Sequence, residues 1–133
     1  MLSSEVTTPE IAVSWGELID KITILEIKSE RLTAVSALAN VRKELSLLKA
    51  KADHLIGTNS EIPFLKQQLL LVNESLWDIE DKIRKKEAAQ EFDAEFIELA
   101  RSVYRQNDRR AAIKREINTA LSSELFEEKS YST

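Results

Sequence analysis

Residues 60–87, SEIPFLKQQLLLVNESLWDIEDKIRKKE, decide the fold. Leu65, Leu69, Val72, Leu76, Ile79 and Ile83 alternate spacings of four and three, the coiled-coil-like repeat that keeps one apolar stripe turned toward a partner helix. Burying these side chains is worth at most roughly 9 to 18 kcal/mol, at ~1.5 to 3 each, enough to set the helix's orientation. Ser60 is the expected N-cap, and Pro63 falls in the first turn, where its missing N–H costs no hydrogen bond. On the outer side Asp78 precedes Lys82, Glu80 precedes Arg84 and Asp81 precedes Lys85 by four residues, the favourable order on a wet helix face. A helix to about Glu87 is predicted.

Upstream, Ser14, Trp15, Gly16 and Glu17 spell an S-x-x-E capping box, with Val13 and Leu18 at the staple positions, so another helix starts at Trp15. Its inner face is Trp15, Leu18, Ile19, Ile22 and Leu25. Thr33 to Ser36 weaken it near Leu32, as a break or a kink. A second helix, with the stripe Val41, Leu45, Leu48, Ala52 and Leu55, runs from about Ala37 to Ile56 and stops at Gly57, the natural left-handed cap. Asp93 caps the last helix, which carries Phe96, Ala100, Val103, Ile117 and Leu121 and extends to about Leu125. The expected organisation is a tail and extended lead-in at 1–13, one helical domain at 14–126 and a polar tail at 127–133. The fold class is all-α: an antiparallel bundle of about four helices, or a long helical hairpin with a broken helix against it.

Composition agrees. The 133 residues contain two glycines and two prolines, too few for a turn-rich β fold, and 43% hydrophobic residues, enough for one core. The absence of cysteine excludes disulfides and thiolate chemistry, and one histidine cannot furnish a di-iron bundle's paired Glu-x-x-His ligands. No apolar run has membrane-spanning length and no secretory start is visible, so no membrane role and a cytoplasmic location are expected. The net charge of −4 argues against nucleic acid as the main partner.

Three departures from the helical pattern nominate sites. Asn107 and Lys114 fall near the centre of the last helix's apolar stripe, with Arg110 at its edge. Buried cations need partners, and Glu26 is the expected one, with Glu80 as a second. The arrangement reads either as a network fixing helix register or as a groove for a small anion or a protein, lined by Asn107, Arg110, Lys114, Glu26 and Trp77. Ile24 and Ile27, with Leu70 and Trp77, form second apolar strips that suggest a homodimer or higher homo-oligomer. Arg101, Arg105 and Arg109 line an outward row; residues 101–116 carry +4 while the remainder carries −8, so acidic groups are expected opposite.

An enzymatic alternative rests on two acid pairs one turn apart, Glu17 with Asp20 and Asp78 with Asp81. Facing one another, they could hold Mg²⁺ for phosphate-ester hydrolysis. A third reading, a nucleic-acid accessory protein, uses the arginine row, although no aromatic residues are interleaved along it for base stacking. A self-associating helical interaction or structural module without cofactor is the leading expectation.

The blocks SWGELIDKITILEIKSERL (14–32), ANVRKEL (39–45), LVNESLWDIEDKIR (71–84), VYRQNDRRAAIKREIN (103–118) and EEKSY (127–131) resemble a family of short uncharacterised bacterial proteins, in the same order over about residues 10 to 131. The resemblance implies a bacterial cytosolic protein, and it implies no chemistry or site residues.

Overall fold

The computed structural model describes residues 7–130, apart from the side chains of residues 55 and 56. The stripe position Leu55, the first six residues of the lead-in and the last three of the tail lie outside the described residues. Four helices follow in order, α1 (Trp15–Arg31), α2 (Val35–Ile56), α3 (Glu61–Ala88) and α4 (Ala94–Ala120), and the described residues contain no strand.

The chain runs up, down, up and down. Lys21 pairs with Glu44 and Glu10 with Lys51, which sets α2 antiparallel to α1. Gly16 meets Asn118 and Asp20 meets Arg110, which sets α4 antiparallel to α1. α1 is the central rod: it packs against α2, α3 and α4, whereas α2 packs mainly on α1. This explains the second apolar strip. Ile22, Leu25 and Ile27 are all buried because α1 has neighbours on several sides, so Ile27 needs no second subunit to cover it.

Ile19, Ile62, Leu65, Leu69, Val72, Ile113 and Ile117 form the main core. The expected seam of α3 is present, with Leu65, Leu69 and Val72 buried and Leu76, Ile79 and Ile83 half-buried. In α4, Ala100 is exposed, and Ile113, outside the expected stripe, is buried instead. The α3–α4 pair outruns its support. At 1.5 Å per residue, helices of 28 and 27 residues are about 40 Å long, against about 25 Å for the 17 residues of α1. The hairpin therefore projects past α1.

Helix ends account for most differences from expectation. Ser14 Oγ accepts from the Glu17 N–H at 3.1 Å and Asp93 Oδ1 from the Phe96 N–H at 3.0 Å, as predicted. Ser60 makes no side-chain cap; Asn59 Oδ1 accepts from the Glu61 N–H at 2.9 Å instead, and Asn59 Nδ2 donates to the Ala120 carbonyl. Gly57 is not left-handed, although α2 does end at Ile56. α4 stops at Ala120 rather than near Leu125. Ser122 takes φ 51°, its N–H reaches the Thr119 carbonyl, and the Ser123 N–H reaches the Asn118 carbonyl, a Schellman closure without glycine. Gln90, at φ 58°, closes α3 in the same way. Neither residue type advertises the left-handed cap, so the sequence pattern ran on past Ala120.

Candidate functional site

Beside the apolar contact of Ile19 with the Ile113 and Ile117 side of the core, a series of polar bonds joins α1 to α4. At its base the Gly16 N–H donates to Asn118 Oδ1 at 2.6 Å and the Trp15 N–H to Ser123 Oγ at 3.2 Å, which pins the start of α1 to the end of α4. Two of the N–H groups that open any helix are thereby satisfied. A Cβ at Gly16 would lie 2.4 Å from the Lys114 carbonyl oxygen and 2.9 Å from Asn118 Oδ1, so only glycine permits this approach.

One turn up, the Lys114 ammonium lies between Glu17 at 2.8 Å and Glu127 at 2.9 Å. Burial lowers its affinity for a proton, but the bonds to the two carboxylates outweigh that and hold it above the ordinary lysine value. Lys114 in turn holds Glu127 below the usual carboxylate range. Above it comes the pair at the centre of the molecule. Asp20, 1% exposed, takes both carboxylate oxygens to Arg110, with Nε donating to Oδ1 at 2.9 Å and Nη2 to Oδ2. Asn73 of α3 donates to Asp20 Oδ1 and to Thr23 Oγ1, each at 2.9 Å, so three helices meet at one carboxylate. The bond to Asp20 raises the Arg110 guanidinium above its ordinary value. Among the described residues no buried side-chain nitrogen or oxygen is left without a partner.

Arg110 also borders a cleft of about 630 Å³ between α1, α3 and α4. Ile24, Ile27, Leu76 and Trp77 supply its apolar wall, and Asn73, Asn107 and Arg110 its polar side. Lys28, Arg84, Glu80 and Asp81 place charges of both signs around it. Arg31 braces the wall: its guanidinium lies 5.7 Å from the Trp77 ring and donates to Asp78 at 2.6 Å.

The predicted groove is therefore only partly assembled. Asn107, Arg110 and Trp77 share the cleft. Lys114, one turn farther along α4, borders a separate cavity of about 290 Å³. Glu26 serves neither cation; it pairs with Lys66 at 3.4 Å, and Glu80 pairs with Arg84 at 3.8 Å. The true partners, Glu17 and Asp20, lie three residues apart on α1 and face Lys114 and Arg110, four apart on the antiparallel α4. That complementary spacing was the available signal, masked because the capping box already explained Glu17. The box is only half made, since the Glu17 side chain turns to Lys114.

The four acids of the Mg²⁺ alternative do not converge. Glu17 goes to Lys114, Asp20 to Arg110, Asp78 to Arg31 and Asp81 to Lys85, and the described residues contain no group of three or more acidic, histidine or cysteine side chains placed to hold a metal ion. Asp78 pairs across to α1 rather than with Lys82. In the arginine row, Arg105 meets Glu98 of its own helix at 2.8 Å and Arg109 meets Gln68 of α3 at 3.3 Å. Among the described residues no helix is long and apolar enough to cross a membrane.

A family model described as a family of unknown function (DUF6165) matches residues 9–133, and the chain belongs to that family. No curated protein and no solved structure matches it.

Proposed function

We propose that this member of the family of unknown function is a helical binding module whose cleft takes a small organic anion with an apolar body. The observation that carries this reading is the placement of Arg110. Its guanidinium is oriented by a buried carboxylate, yet its side chain is 29% exposed and borders the cleft opposite an apolar wall. Asp20 uses the Nε side and Nη2; among the described residues the Nη1 donor has only Asn107 Oδ1, at a long 3.5 Å. A cleft of about 630 Å³ lies in the range of metabolite sites, roughly 300 to 1,000 Å³, and combines apolar walls with few placed polar groups, as such sites do.

Trp77 makes the test direct. In a Trp15→Phe background its fluorescence is the only indole signal, and titration with phenyl phosphate and benzoate should change it saturably. Asn107→Ala, which leaves the Asp20–Arg110 pair in place, should weaken that response. Titrations flat for both anions would defeat the reading.

A specific observation also favours self-association. Phe64 and Leu71 of α3 are 63% and 51% exposed and lie seven residues apart, hence on one face; Ile97 and Tyr104 of α4, 49% and 57% exposed, repeat the spacing. These replace Ile27, Leu70 and Trp77 as the residues that a second copy would cover. Light scattering should give a dimer mass that Leu71→Lys reduces, and a monomer at micromolar concentration would end the idea. The reading places the module in the bacterial cytoplasm.

A further inference from the structure

Beyond Schellman closure at Ser122, the chain turns back along α4. Residues 124–130 are all exposed, and what ties them down is charge: Glu127 to Lys114 at 2.9 Å, Glu128 to Arg115 at 3.1 Å, and Phe126 beneath the Arg115 guanidinium at 5.5 Å. Both carboxylates stand half-exposed or exposed, and ion pairs with such a solvated partner each contribute little, about 0 to 1 kcal/mol. The fit is also loose. A cavity of about 290 Å³ lies between segment and helix, with Ala111 and Ala112 on the helix side and Glu127, Glu128 and Lys129 on the other. The helix beneath is by contrast well prepared. Lys114 is 8% exposed and retains Glu17 when Glu127 departs, so lifting the segment strands no buried charge.

We propose that the face of α4 formed by Ala111, Lys114 and Arg115 is a docking site for an acidic peptide of a partner protein, bearing an aromatic residue followed by two carboxylates, and that Phe126, Glu127 and Glu128 occupy it in cis. The site is distinct from the cleft at Trp77 and does not depend on it. The chemistry of the occupant is read from what already sits there: a ring for the Arg115 cation, one carboxylate for the buried Lys114 ammonium and one for the Arg115 guanidinium. The tethered segment competes at an effective concentration in the millimolar range, so a partner binds in trans only when the segment lifts. Small floor residues leave room for a bulkier side chain than the chain's own segment supplies.

The test uses the full chain and a fluorescent peptide of the chain's own residues 124–130, ELFEEKS, followed by anisotropy. Replacing Glu127 and Glu128 by Gln frees the site without touching buried residues, and the peptide should bind this variant roughly tenfold more tightly than the unaltered chain, the ratio expected for a millimolar internal competitor and a probe dissociation constant about a tenth of that. Adding Arg115→Gln, at an exposed position, should abolish the gain, and so should a peptide with Ala in place of the phenylalanine. A gain below about twofold, or binding indifferent to Arg115→Gln, overturns the proposal. So does an oligothymidylate of equal charge that gains as much as the peptide, because the site would then select charge alone.

Discussion

On one side of Asn73 and Arg110 the α3–α4 hairpin buries Ile62, Leu65, Leu69, Val72, Ile113 and Ile117. On the other, the same seam carries Leu76, Ile79, Ile83, Phe96 and Val103, none of them fully covered. The two halves have similar helical patterning; what differs is the third helix. α1 ends at Arg31, whose bond to Asp78 marks the last level at which it grips α3. Two helices alone leave each seam residue open on one flank, and the far half compensates at its tip. There Lys86 meets Glu91, Asp93 and Glu95, which hold its ammonium above the ordinary lysine value through Asp93 first and Glu95 next, and Phe92 packs edge-on against Phe96. Burial is thus a property of the neighbourhood, not of the heptad that announces it.

Asp20→Ala strikes the junction of the halves. It leaves the Arg110 guanidinium without its carboxylate and Asn73 with Thr23 Oγ1 alone as acceptor, and should cost about 3 to 5 kcal/mol in urea denaturation. An effect under about 1 kcal/mol would remove the junction as an organising element. The halves are compared directly by Leu69→Ala and Ile83→Ala. The first opens a cavity in the three-helix core and should cost about 2 to 5 kcal/mol, the second, half-wet at the start, about 1. Equal losses would break the comparison. Amide hydrogen exchange sharpens it, with residues 79–88 exchanging sooner than residues 62–73.

Gly16→Ala should cost about 1 to 3 kcal/mol, because the new methyl meets backbone rather than a yielding side-chain tip. The smallest effect belongs to the C-terminal segment. Glu127 binds its proton less readily folded than unfolded, so its contribution is complete above its ordinary 4.5 and fades as pH falls below that value. Since its side chain is half-exposed, Glu127→Gln should cost only roughly 0.3 kcal/mol at neutral pH, and the difference between the two proteins should vanish in acid.

The helices and the α3 seam were legible because period and caps are local: Ser14, Asp93 and the alternating leucines act within a few residues of themselves. The site was legible only as an anomaly. Asn107, Arg110 and Lys114 stood out as polar residues on an apolar face, but their partners depended on which helix lay opposite and at what level, a property of packing. Ile27 misled for the same reason, since a helix surrounded on several sides looks, in sequence, like one with a face to spare. The early end of α4 was hidden because Ser122 bears no sign of its left-handed turn.

The bond from the Trp15 N–H to Ser123 Oγ joins positions 108 apart. On the ribosome, α1 leaves the exit tunnel long before the helix it must grip, and at about 5 to 20 residues per second the delay is some 5 to 20 seconds. Until α3 emerges, Ile19 has only α2 as a companion in reach, and for the rest of that interval it still lacks its core partners on α4, Ile113 and Ile117. The hairpin of α1 and α2 is thus the first tertiary contact open to the growing chain, and substitutions that loosen it, at buried Val41 or Ala52, should show first as poor yield during synthesis rather than as a lower melting temperature.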